Sequence, residues 1–153
     1  MRKVVLFLVG FCTYITIEVC YRGYSSPLMG FTAGIIMLLL DSINEKISWD
    51  FDLLAQGIIG SAMVTLSELG IGEMLICIYG VNTIWDYSKI PFNFDGVICP
   101  QFSIVWILIS IIGIIVADAI NYYVFEELPV PYYKMFGKVI IKFPKKKCKL
   151  SRF

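Results

Sequence analysis

Apolar residues fall into four runs divided by short polar stretches: Val4 to Cys20, Pro27 to Leu40, Leu53 to Tyr79 and Phe102 to Tyr123. About 20 apolar residues in a helix cross the hydrocarbon core of a bilayer. The pattern therefore predicts an all-α polytopic membrane protein, a four-helix transmembrane bundle with helices over about 4–21, 27–41, 53–79 and 102–125. Residues 1–128 form the transmembrane domain in this reading, and 129–153 a basic cytoplasmic tail. The third run is long for one straight crossing. Within it Glu68-Leu69-Gly70-Ile71-Gly72-Glu73 sets two glycines between two acids, which predicts a kinked or broken helix.

Composition agrees. Of 153 residues, 58% are hydrophobic and 16% charged, where a soluble domain has about 25% charged. The net charge of +1 conceals an asymmetry. Lys134, Lys138, Lys142, Lys145, Lys146, Lys147, Lys149 and Arg152 all lie near the C-terminus, and the remainder is acidic. Cytoplasmic flanks are enriched in Lys and Arg. The lysine-rich end and Arg2-Lys3 thus predict both termini in the cytoplasm, an even number of crossings and a multi-pass plasma-membrane protein. The first run has the basic start of a signal peptide but no small-x-small cleavage site, so it reads as a retained helix. Tyr21, Tyr24, Trp85, Tyr87 and Trp106 fall near the proposed outer interface. Trp49, Tyr122, Tyr123, Tyr132 and Tyr133 fall near the inner one, as aromatic belts do.

Acids set in or beside these runs are the candidates for chemistry. At 1.5 Å per residue, Glu18 and Glu68 both lie roughly 21–22 Å from the inner ends of their helices. Asp41 and Asp118 make a second, inner layer. Tyr14, Glu18 and Arg22 share one helical face, as do Ser61, Thr65, Glu68 and Gly72. Ionisable groups in a membrane face protein or water and are functional candidates by default. The structural alternative is that Glu18 simply pairs with Arg22, and that Asp41 and Asp118 cap the bundle. Gly30 and Gly34 form a G-x-x-x-G that packs helices within the chain or between copies.

Other chemistry is narrowed by what is missing. The chain has no histidine, which excludes His-based triads and imidazole metal sites; no metal site and no cofactor is expected. There is no G-x-x-x-x-G-K-[ST], so ATP hydrolysis would need another chain. A Cys20–Cys99 bridge is an open option near the outer side. The basic tail points to anionic lipid at about 1 kcal/mol per basic residue, not to nucleic acid.

The most distinctive stretch is the outer loop, with Trp85-Asp86-Tyr87-Ser88 followed by Asn93, Gly96, Ile98 and Trp106. Asp86, Ser88 and Asn93 are turn formers, and the aromatics can fold the loop back over the bundle as a lid or interface anchor. This run resembles the signature of the Putative ABC-transporter type IV (CmpB-like) family. Glu18, Arg22-Gly23 and Met29-Gly30 resemble its first helix and outer turn, and Glu68 the acid of its third helix. Thr83-Ile84 stands where many members have Cys-Pro. The resemblance spans roughly Leu6 to Trp106 and implies a small helical membrane protein.

The expected function is a transport or channel component with an acid-lined interior. Glu18, Arg22 and Glu68 would line the pathway, and Trp85, Asp86, Tyr87, Ser88 and Asn93 would shape its outer mouth. Four helices hardly enclose a pathway, so a homo-oligomer or partner membrane subunit is expected. The alternatives are a membrane-embedded enzyme acting on a lipid-linked substrate, with Glu68 or Asp86 as acid–base group, and a non-catalytic accessory protein.

Overall fold

A computed structural model describes residues 1–127 and 129–146. Its elements run α1 (Arg2–Arg22), α2 (Pro27–Lys46), α3 (Leu53–Tyr79), α4 (Pro100–Tyr123), β1 (Tyr132–Met135) and β2 (Lys138–Lys142). All four helices are long and apolar enough to cross a membrane. Their ends follow local chemistry. Pro27 and Pro100 open α2 and α4, where a missing N–H costs nothing. The Asp52 carboxylate caps α3 by accepting from Leu54 N at 2.9 Å. Gly23 closes α1 in the left-handed region, at φ 81°.

Small residues set the helix contacts. A Cβ on Gly34 would lie 2.5 Å from the Phe7 ring, and one on Gly30 would lie 2.8 Å from Phe11. The G-x-x-x-G is therefore used within the chain, to seat α1 on α2. Gly57 takes Ile111 and Gly60 takes Ser110 in the same way between α3 and α4. The core joins Ile36, Leu40 and Ile43 of α2 to Leu53, Ile114 and Tyr133. Helix α1 touches α2 and, slightly, α4, but not α3.

Three expectations change, and one open option closes. α2 runs on past Asp41 to Lys46, because Ile43 and Asn44 continue its buried face. Of the kinked or broken α3, the break does not occur: α3 is one continuous helix. Gly72 is not a break; Val97 of the outer loop packs where its Cβ would stand. Cys20 and Cys99 are free thiols, the first exposed and the second buried.

The third change concerns the region read as a tail. β1 and β2 pair as an antiparallel hairpin, turned by Phe136 and Gly137 at positive φ. The hairpin is docked on the bundle. Tyr133 is fully buried, Phe136 N donates to Asp52 at 2.6 Å, and Lys134 pairs with Asp50 at 2.6 Å. Phe143 stacks on Tyr123 at 5.7 Å. Apolar strand residues lie between the lysines, so the segment has surface to bury. The lysine run from 147 onward and Cys148 lie outside the described residues.

Candidate functional site: two polar layers

The hairpin and Arg2 mark one end of the bundle, and the loop from 81 to 99 marks the other. Near the loop end, three donors converge on Glu18. Tyr14 Oη donates at 2.8 Å, Arg22 Nη2 at 2.6 Å and Ser25 Oγ at 2.6 Å. Arg22 also donates through Nη1 to the Ile84 carbonyl at 2.8 Å, tying α1 to the loop. Glu68 differs. It is 5% exposed and accepts from Trp106 Nε1 at 3.1 Å, with no cation in pairing distance among the described residues. Tyr87 lies within coulombic reach of Glu68, Glu18 and Arg22, and burial pushes its hydroxyl up from the usual range. The structure thus brings Glu18 and Arg22 into one cluster, with Glu68 nearby on α3.

The layer at the Arg2 end is larger than the two acids, Asp41 and Asp118, that outline it in the sequence. Asp41 accepts from Lys3 Nζ at 2.7 Å, Arg2 Nη2 at 3.4 Å and Asn121 Nδ2 at 2.5 Å. Arg2 also pairs with Glu45 and, at 2.6 Å, with Glu127. Asp118 Oδ2 accepts from Asn44 Nδ2 and Tyr133 Oη, each at 2.6 Å. Removing one such donor from a buried carboxylate costs about 1.5–3 kcal/mol. An open cleft of about 420 Å³ adjoins this network, lined by Asp41, Asn44, Asp118 and Asn121 with Trp49 and Tyr122 among its walls. Sequence reasoning missed Arg2, Asn44 and Tyr133 as members of this network, and helical spacing sets Asn121 on the stripe of Asp118, where it bonds Asp41. Asn44 and Asn121 carried a signal, as amides within a turn of an acid on the same helix.

The sequence pattern of the family described as Putative ABC-transporter type IV matches residues 4–143. The chain belongs to that family. No curated protein and no solved structure matches it. The match takes in the acids of both polar layers and the hairpin, and begins just after Arg2 and Lys3.

In this CmpB-like chain the loop's signature residues bond mainly to one another. Trp85 Nε1 donates to the Val97 carbonyl at 2.7 Å. Asp86 Oδ1 accepts from Ser88 N at 2.8 Å, which holds its carboxyl below the usual carboxylate range. Asn93 Nδ2 donates to the Ile90 carbonyl at 2.7 Å and the Ser88 carbonyl at 3.2 Å, while its Oδ1 accepts from Gly96 N at 2.9 Å. Tyr87 stacks on Phe102 of α4 at 4.6 Å. These contacts fold the loop and set Val97 onto α3.

Proposed function

We propose that this chain is a subunit of a transport or channel assembly in the plasma membrane, with both termini cytoplasmic. The observation that carries the reading is Glu68. A carboxyl group sits buried between apolar helices with one neutral donor, inside a membrane-length helix where a charge is costly, up to roughly 2.5–3.5 kcal/mol at the bilayer centre on insertion scales. Such a cost is retained where the group meets a polar solute or ion. Glu18 and Arg22 form a second polar group at the same end, tied to the loop through the Ile84 carbonyl. The α1–α4 contact is slight, and α2 packs on α4 across the middle of the bundle, so the four helices enclose no central pathway of their own. A second copy or a partner subunit completes the pathway.

The test is flux of labelled cations and small polar solutes in proteoliposomes holding the purified chain. Glu68→Gln is expected to lower flux at least tenfold, by the size of about one charge-assisted hydrogen bond. Equal flux would remove Glu68 from the pathway.

A second reading, an accessory subunit, is supported by Phe92 and Phe94, which are 87% and 56% exposed on the loop. Large exposed aromatics favour docking. A second chain that co-purifies with the protein and is lost on Phe92→Ser would favour that role. The basic residues of the hairpin end would add affinity for anionic lipid, at about 1 kcal/mol each near the surface.

A further inference from the structure

Three oxygens on residues that line the cleft at the Arg2 end have no hydrogen-bond donor among the described residues. Two are amide oxygens. Asn44 and Asn121 are 8% and 7% exposed, line the cleft, and have buried, unpartnered Oδ1 atoms. Their orientation is dictated by chemistry. Each turns its Nδ2 to a carboxylate, Asn44 to Asp118 and Asn121 to Asp41, because the reverse would set oxygen against oxygen. The carbonyls must then point elsewhere. The third is Asp118 Oδ1; both donors to this side chain meet Oδ2.

Charge and walls narrow the ligand. Asp41, Glu45, Asp118 and Glu127 line the cleft. Arg2 and Lys3 pair with three of them, Asp41, Glu45 and Glu127. Asp118 has no cation partner among the described residues. Lys146 pairs instead with Glu126, at 3.8 Å. A buried amide oxygen left unmatched is unfavourable, so a donor is favoured here and an anion is not. Trp49 and Tyr122 are among the walls, and aromatic rings attract cations. The protein already does this at the edge, where Lys146 Nζ lies 5.2 Å from the Tyr122 ring. Pockets of about 300–1,000 Å³ hold small organic molecules, and this one falls within that range.

We infer that the cleft binds the primary ammonium group of a small organic amine, with Asp118 Oδ1 and the carbonyls of Asn44 and Asn121 as acceptors and Trp49 and Tyr122 beside its carbon chain. Three N–H donors and one positive charge match one carboxylate oxygen and two amide oxygens. A quaternary ammonium has the charge but not the donors.

The test is calorimetric titration of the full chain in nanodiscs with butylamine hydrochloride near neutral pH, with empty nanodiscs subtracted. Saturable binding is expected, and tetramethylammonium chloride should bind about tenfold or more weakly, by the worth of a charge-assisted hydrogen bond. Asp118→Asn should weaken butylammonium by about tenfold or more on the same grounds. Trp49→Leu leaves every hydrogen bond of the network in place and should weaken it severalfold. Helix content and thermal melting establish that each variant is folded. Absent saturation, equal affinity for tetramethylammonium, or parental affinity in folded Asp118→Asn overturns the proposal. If Asp118→Asn does not fold, parental affinity in Trp49→Leu overturns it. Binding is read without flux, so the result is separate from that of the transport assay.

Discussion

Val97 rests on Gly72, with the valine methyl where a glycine Cβ would be. One backbone position on α3 thus carries the loop that closes its end of the bundle. Gly72→Ala is expected to destabilise the protein by about 1–3 kcal/mol through overpacking. Adding Val97→Ala should recover part of that loss. Denaturant unfolding of the two single variants and the double variant in micelles measures the coupling.

Tyr133 joins the hairpin to α4 through its bond to Asp118. Burial, more than the nearby carboxylate, pushes its hydroxyl up, so the phenol remains a donor at every pH where the protein is handled. Tyr133→Phe removes one donor from a buried carboxylate and should cost about 1.5–3 kcal/mol. Unfolding midpoints compared with the parent check the figure. Protease sensitivity of residues 132–143 should rise with it.

The rim of the hairpin responds to acid. Hydrogen bonds from Lys134 first and Tyr132 second hold the exposed Asp50 carboxyl below its usual range. A carboxyl lowered in the folded state adds stability above its unfolded pKa, about 3.9, and that stability disappears as pH falls through the lower, folded value. Amide-exchange protection of the hairpin should therefore decline below about pH 4, the usual aspartate value. Asp50→Asn should flatten this dependence.

Asn93 satisfies three backbone groups with one side chain. Asn93→Ala should loosen the loop and speed proteolysis between Asp86 and Gly96. Helix content should remain that of the parent, because no helix depends on these bonds. A fall in helicity equal to that of an unfolded control would contradict this division.

The four helices were legible because apolar runs of bilayer length have few other meanings. Their ends were less so. Asp41 reads as a terminus only while its partners are unknown; with Lys3, Arg2 and Asn121 around it, α2 carries it inside and continues. Gly72 reads as a helix breaker because its neighbour in space is 25 residues away in sequence. The hairpin was obscured by its lysines. Yet Val139, Ile140 and Ile141 are strand formers, and Gly137 supplies the turn. The pairing of Glu18 with Arg22 followed from helical spacing, whereas Asn44–Asp118 and Asn121–Asp41 each link α2 with α4 and no local rule reaches them.

Asp41 finds both of its cations, Arg2 and Lys3, on the helix made immediately before it. The first helical hairpin is thereby self-neutralising: it can leave the insertion machinery with that acid matched, before α3 and α4 have been synthesised. Asp118 has no such provision in its own half. Its amide donor comes from Asn44 and its hydroxyl donor from Tyr133, so its membrane environment is complete only once biogenesis has brought early and late parts of the chain together.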